Sequence, residues 1–413
     1  MRSWSEPQET ASQKVSSTRE VRKDQLTINP PPSTRKSQPS REPIRGNQAP
    51  LIDNELLSKR PEPVAKPLPQ PTLGRIRLDD KHIINCRADV NQLEPIKYHW
   101  AWDKYMNSRS NFWMPNEIDM SDDKALWNRK NGLTKNERLI VERSLGFFST
   151  ADSLVGNNLV FSVYDRITNP ECRLYLIRQI DEEMLHTHAY QFCIESLGLN
   201  REETFNMYHE IPSIQAKAQW AERYTSSLQT NNDRDGDYTE EDDRTLLRNL
   251  IAFYCVMEGM FFYCGFAQVL GLMKDDKMTG LGKQFLYILR DESAHVSFGI
   301  DVINQIKNEN PHLWNDEMRA EATNMIVEGT GLEIQFAKET MPEGVVNINA
   351  VQMERYLKFI ANRRLQQIDL PKYYDVNENP FPWLSGMLDT VTETNFFEKR
   401  VTDYQVGGAV DWS

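Results

Sequence analysis

The chain is poor in the features that mark secreted, membrane-bound or thiol-based proteins. Only five cysteines occur in 413 residues (Cys86, Cys172, Cys193, Cys255 and Cys264), none in a C-x-x-C grouping and several in helix-patterned apolar stretches. That spacing excludes a disulfide frame and a redox pair, and leaves small buried thiols. No uninterrupted run of about 18 apolar residues is present, and the N-terminus lacks the apolar core of a secretion signal. The expected location is therefore cytoplasmic, with no membrane partner. Strand-like alternation is scarce from residue 96 onward, which points to an all-α fold. Positive charge is also short: the chain carries −12 overall and −18 over residues 78 to 413, which argues against nucleic acid as a partner.

Proline is abundant in one place. Residues 1 to 77 hold 12 of the 21 prolines and 14 Lys/Arg against 8 Asp/Glu. Stretches such as PPPSTRKSQPSREP cannot bury enough apolar surface to fold, so this basic arm reads as disordered and solvated. A folded domain is expected over 78–374. Residues 375–413 contain Pro380, Pro382, Gly407 and Gly408 without a helical period, and read as a tail off the core. Its last residues, TDYQVGGAVDWS, suit a docking peptide and equally an unanchored terminus.

Histidine is scarce too, at seven residues, yet two of the seven repeat one spacing: Glu183-x-x-His186 and Glu292-x-x-His295. Residues three apart on a helix share a face, so each pair can present a carboxylate and an imidazole to one ion. Two pairs imply two ions. Helix bundles that hold such centres add one carboxylate from each of two further helices. The sequence offers Asp152 in LGFFSTADSLVGNNLVF and Glu258 in NLIAFYCVMEGMFFYCGFAQVL, each the lone acid of its apolar stretch. Burying a lone ionised carboxylate is costly, and a metal removes that cost. Hard oxygen donors with only two imidazoles favour iron or manganese. A third match, Glu309-x-x-His312, is broken by Pro311. The segment NNDRDGDYTEED, residues 231–242, approximates a calcium loop but departs from it at Asn231, Tyr238 and Asp242, and reads as a solvated acidic loop.

Start and stop signals organise these residues. Thr134-x-x-Glu137 is a capping box that opens a helix to about Ile167. Asn169 and Pro170 begin the next helix, which carries Glu183 and His186 until Gly198 stops it. Further helices are expected at about 213–228, 240–272, 279–308, 314–338 and 349–367. The two ligand-bearing halves thus repeat one scheme: a helix with a single acid, then a helix with Glu-x-x-His.

On these residues the chain resembles the small, radical-bearing subunit of class I ribonucleotide reductase. The likeness rests on FFSTADS around Asp152, Glu183-x-x-His186-x-x-x-Tyr190, and Glu258 followed by Phe262 and Phe266. It extends to Arg290-Asp291-Glu292-x-x-His295, Phe112-Trp113-x-Pro115 and Asn379-Pro380-x-Pro382-Trp383. The resemblance implies a ferritin-like di-iron carboxylate helix bundle with additional helices, assembled as a homodimer. It implies two iron ions per chain in a di-iron-oxo centre, although ligand type alone leaves manganese open. Asp152, Glu183 and His186 would hold one ion, and Glu258, Glu292 and His295 the other, with at least one carboxylate bridging.

Tyr190, one turn past His186, would carry a stable radical formed when the reduced centre meets dioxygen, walled in by Phe262, Phe266 and Ile288. Trp113 and Asp291 match the family's exit route for the radical. Tyr404 matches the relay tyrosine that passes the oxidising equivalent to the large (alpha) subunit, where ribonucleoside diphosphates are reduced. The C-terminal tail would dock that subunit. Gln179, one turn before Glu183, is a candidate donor to a ligand carboxylate. An independent di-metal oxidase would share the six ligands but require a substrate channel. A ferritin-type metal store would need no radical, no Trp113 and no Tyr404.

Overall fold

The computed structural model describes residues 76–384 except 85, 87–91, 230–237, 343 and 345–347, and omits the side chains of 150, 152–155, 161 and 226–229. The basic arm, Tyr404 with the rest of the tail beyond 384, and most of the 231–242 loop lie outside the described residues. Among the described residues the fold is all-α, with a single isolated bridge between Ile84 and Ile167. The helices are α1 (His99–Ser110), α2 (Ser121–Asn128), α3 (Lys135–Asn158), α4 (Tyr164–Arg166), α5 (Pro170–Leu197) and α6 (Arg201–Glu210). They continue as α7 (Pro212–Gln229), α8 (Glu240–Leu250), α9 (Tyr263–Lys274), α10 (Thr279–Glu309), α11 (Asp316–Thr340) and α12 (Ala350–Gln367).

Four stretches close the core into a ring: α3 packs on α5, α5 on α10, α10 on the stretch leading into α9, and α9 back on α3. Local chemistry sets their ends. Thr134 and Glu137 exchange both capping-box bonds at the start of α3, at 3.2 and 2.8 Å. Asn169 accepts the Cys172 N–H at the start of α5, and Gly198 ends that helix at φ 72°, a left-handed conformation that favours glycine. Helix α10 is capped from a distance: the buried Asp123 of α2 accepts the Gly280 and Leu281 N–H groups at 3.2 and 2.7 Å. That bond anchors the N-terminus of the helix that carries Glu292 and His295.

Several features depart from the expected pattern: α1 and α2 were not among the expected helices, and the helix expected from Thr134 to about Ile167 turns π-helical over Leu159–Val163. Helix α6 was not anticipated; it is polar, and its N-cap Asn200 accepts the Glu202 and Glu203 N–H groups. The expected 240–272 helix is interrupted by a π-helical segment, Ile251–Phe261, all of it buried. The chain does not leave the bundle at Asp375, because Phe381 and Leu384 are each 1% exposed and Phe381 packs on Tyr356 at 5.1 Å. Asn362 holds the preceding stretch without any helical period. It accepts the Tyr373 and Tyr374 N–H groups at 3.0 Å each and donates to the Tyr374 and Val376 carbonyls.

A window within Glu240–Lys274 is long and apolar enough by composition to cross a bilayer, and all of it is buried inside the bundle. Its apolar surface is spent on the core. All five cysteines are buried and free of disulfides.

Candidate metal centre

Helices α5 and α10 bring their Glu-x-x-His pairs face to face. The Nδ1 of His186 lies 3.2 Å from Glu292 Oε1 and 3.7 Å from Glu183 Oε2. That of His295 lies 3.1 Å from Glu183 Oε1 and 3.6 Å from Glu292 Oε2. Glu258 joins from the π-helical segment: one ligand atom each from Glu183, Glu258, Glu292 and His295 all fall within 4.8 Å of one another, every residue buried. Asp152 lies on α3, but its side chain is outside the described residues.

The donor set fits bound metal. Although Glu183 and Glu292 are buried, neither oxygen of either carboxylate has a hydrogen bond, and His295 Nδ1 has none. Buried polar atoms are ordinarily paired, and charges gathered this closely away from water are held by metals or counter-ions. Carboxylates and imidazoles suit iron, manganese or zinc more than soft copper(I).

Behind each imidazole stands an acid from the opposite helix. His186 Nε2 lies 3.5 Å from Asp291 Oδ2, which also accepts the Trp113 indole N–H at 2.8 Å. Arg290 donates to the other Asp291 oxygen at 3.0 and 3.1 Å. His295 Nε2 lies 2.9 Å from Glu182 Oε2, and Arg178 pairs with Glu182 Oε1 at 2.8 Å. Burial would lift the Asp291 carboxyl, but His186, Arg290 and the Trp113 N–H hold it below the ordinary carboxylate range. For Glu182 burial prevails over the pull of His295 and Arg178, and its carboxyl is raised. Burial lowers both imidazoles, yet the surrounding acids outweigh it and raise them. Such acids fix which ring nitrogen faces the ion.

Sequence reasoning missed Glu182. The signal was present, since Glu182-Glu183-x-x-His186 and Asp291-Glu292-x-x-His295 are the same acid-Glu-x-x-His pattern. Gln179 contacts the carboxylate of a candidate ligand, Glu258: it donates to Glu258 Oε1 at 2.7 Å, and its own carbonyl accepts the Tyr254 hydroxyl at 3.0 Å. The Tyr254 ring in turn rests on Gly299 of α10, where an added Cβ would come within 1.9 Å of it.

Tyr190 is fully buried, with Phe148 at 5.5 Å and Phe285 at 6.0 Å between ring centroids. Phe148 is the hub of this wall, packing on Phe262, Phe266 and Phe285 at 5.1, 5.1 and 5.0 Å. Ile288 is buried as well. Neither Phe148 nor Phe285 was anticipated in the wall, although Phe148 stands four residues before Asp152 and Phe285 seven before Glu292, both helical intervals. Trp113 is 4% exposed and stacks on Tyr287 at 5.2 Å.

Known proteins resemble this chain. A family model for the ribonucleotide reductase small chain matches residues 90–380. The chain is 44% identical over 344 residues to the ribonucleoside-diphosphate reductase subunit beta of Chlamydia pneumoniae, covering 82% of this chain and 97% of that one. It is 32% identical over 337 residues to the ribonucleoside-diphosphate reductase small chain 1 of Saccharomyces cerevisiae, covering 81% and 78%. Among solved structures, it matches the ribonucleotide reductase R2 subunit from Clostridium botulinum with a TM-score of 0.67 and 27% identity, covering 75% of this chain and 94% of that one. With a ferritin-like bundle, two facing Glu-x-x-His helices and these relatives in agreement, the chain belongs to the small-chain family of ribonucleoside-diphosphate reductase.

Proposed function

We propose that this chain generates and stores a radical at Tyr190 beside a di-iron centre, and delivers the oxidising equivalent to a large subunit that reduces ribonucleoside diphosphates. The observation that carries the reading is the placement of Glu183 and Glu292 between two imidazoles, each imidazole backed by an acid from the other helix. Glu183, His186, Glu258, Glu292 and His295 would hold the ions, joined by Asp152. Manganese fits the same donors. Two reduced ions, when bound, supply the electrons that activate dioxygen.

The chain's own residues do the rest. Glu182 and Asp291 hold the outer nitrogens of His295 and His186, so that both Nδ1 atoms stay turned inward. Phe148, Phe262, Phe266, Phe285 and Ile288 keep water from Tyr190, whose oxidised form survives only where reductants cannot reach it. The Trp113 indole, bonded to Asp291 and thereby linked to His186, supports a route for an electron between the centre and the outer face. Tyr404, beyond the described residues, continues that route to the large subunit, which the C-terminal tail docks.

A second copy of the chain completes the assembly. Ile177 and Met184, seven apart on α5, are each half exposed, and Val160 is 43% exposed. Such outward apolar residues on a helix otherwise packed in the core suit an interface between copies. Five cysteines free of disulfides accord with a cytoplasmic setting.

The deciding experiment is electron paramagnetic resonance with metal analysis on protein reconstituted with ferrous iron and dioxygen. A tyrosyl signal with two metal ions per chain is expected. Protein that takes up metal but gives no organic radical would overturn the storage role.

A further inference from the structure

Glu258 sits on an unusual support. The segment Ile251–Phe261 is π-helical and wholly buried, and it passes into the ordinary helix α9 at Phe262. A π-helix bonds each N–H five residues back instead of four, so where it gives way to an α-helix the ladder changes register and backbone groups need other partners.

Three buried side chains, each from a different helix, supply those partners. Lys217 of α7 donates to the Phe261 carbonyl at 2.8 Å. Arg364 of α12 donates through Nε to the Gly259 carbonyl at 2.8 Å and through Nη2 to the Tyr263 hydroxyl. Glu333 of α11 accepts the Cys264 N–H at 3.1 Å with one oxygen and pairs with Lys217 at 2.6 Å through the other. The Lys217 ammonium also lies 3.3 Å from the centroid of Phe147 and 4.2 Å from that of Phe336, so aromatic faces enclose it. Phe147 adjoins Phe148, the ring against Tyr190.

Stability gives no reason for such a pair. A buried ion pair is commonly no more stabilising than apolar residues of the same volume. Register does give a reason: in an α-helix the same residues would advance around the axis, and Glu258 would turn off the face that meets Gln179, Glu183 and Glu292.

We propose that Lys217, Glu333 and Arg364 are positioning residues for Glu258, latching the end of the π-helical segment so that its carboxylate stays at the metal centre. The proposal rests on the reading of Glu258 as a metal ligand. Its test is anaerobic titration with manganese(II), followed by electron paramagnetic resonance of the free ion, on wild type, Lys217→Met, Arg364→Met, Arg364→Lys and Lys307→Met. Lys307 is a control: a buried lysine whose hydrogen bonds run to Asn304, the Ile368 carbonyl and Asp369, at 3.0, 2.7 and 2.9 Å, and not to the backbone of the π-helical segment.

Wild type is expected to bind two ions per chain. Lys217→Met and Arg364→Met should weaken binding by about 10-fold or more, the range seen when groups that orient metal ligands are lost. Arg364→Lys, which keeps a donor for Gly259, should recover part of that loss, and Lys307→Met should bind as wild type does. Should Lys217→Met fail to fold, the Arg364 pair decides. Unchanged binding by Lys217→Met and Arg364→Met overturns the latch and leaves the metal centre standing. Equal weakening in Lys307→Met also overturns it, as a general effect of losing a buried cation. A wild-type protein that binds no metal refutes the ligand reading itself.

Discussion

Glu183 lies nearer to the histidine of the facing helix than to that of its own: 3.1 Å to His295 Nδ1 against 3.7 Å to His186 Nδ1. Glu292 mirrors it, at 3.2 Å to His186 and 3.6 Å to His295. Each carboxylate thus stands between two ring nitrogens, one from each helix, and the two crossings tie α5 to α10.

Tyr190→Phe should abolish the organic radical while leaving metal uptake unchanged, since the ring keeps its packing against Phe148 and Phe285 and loses only the oxidisable hydroxyl. Paramagnetic resonance and metal analysis on one reconstituted sample check both halves. Persistence of the same tyrosyl signal would move the radical elsewhere.

Glu258→Ala should lower metal occupancy and eliminate the radical with little loss of helix. The residue is buried in an apolar segment, and in metal-free protein its removal relieves repulsion with Glu183 and Glu292. Full loading with two ions per chain would remove Glu258 from the ligand set.

Glu182→Ala tests the acid that sequence reasoning overlooked. Loss of the 2.9 Å contact to His295 Nε2 should weaken metal binding by roughly 10- to 100-fold. It also leaves Arg178 without that partner, so thermal unfolding of the metal-free variant should be followed in parallel. Wild-type affinity would show that the ring is held by its other contacts.

Glu333→Gln should flatten part of the pH dependence of stability. Burial lifts the Glu333 carboxyl from 4.5 to about 7, against the pull of Lys217 and the Cys264 N–H. The folded protein therefore keeps a proton that the unfolded chain releases. That contribution is fully present below 4.5 and is lost as pH rises through about 7. Relative to wild type, the glutamine variant should gain roughly 3 kcal/mol of unfolding free energy across that window, at 1.36 kcal/mol per pH unit. Urea unfolding of both proteins at the two ends of the window measures it; a difference that stays flat refutes the assignment.

Tyr404→Phe should leave radical yield intact yet silence nucleotide reduction with the large subunit, because phenylalanine keeps the shape and cannot be oxidised at accessible potential. Deleting the residues after Gly408 should instead weaken subunit association while sparing the relay tyrosine. Normal turnover by the phenylalanine variant would rule out the relay, and undiminished affinity in the truncated chain would place docking elsewhere.

Much of the centre was legible because helical spacing is a strict ruler. Glu-x-x-His twice and Gln179 one turn before Glu183 follow from which residues share a face, whereas Asp291 and Trp113 were reached through the family resemblance. What depends on the facing helix was harder to read. Glu182 acts across the bundle on His295, and Phe285 reaches Tyr190 from α10; the repeated acid-Glu-x-x-His pattern and the seven-residue interval to Glu292 mark these positions but not their partners on the facing helix. The π-helical segment was hidden because nearly every residue of Ile251–Phe261 is apolar, so there is no stripe whose period could betray a change of turn. Residues 375–384 were read as leaving the core because Asn362 holds the chain there through side-chain bonds, which leave no periodic trace.

The closeness of Tyr254 to Gly299 limits which substitutions the chain can accept. By helix propensity alone Gly299→Ala should stabilise α10 by about 1 kcal/mol, so it looks like a change that stabilising selection or design would favour. The new methyl group would occupy the space of the Tyr254 ring, and displacing that ring disturbs the bond to Gln179 and through it the one to Glu258. An improvement in local helix stability is thus closed off by a residue on the far side of the contact, and the route to it opens only if position 254 changes first.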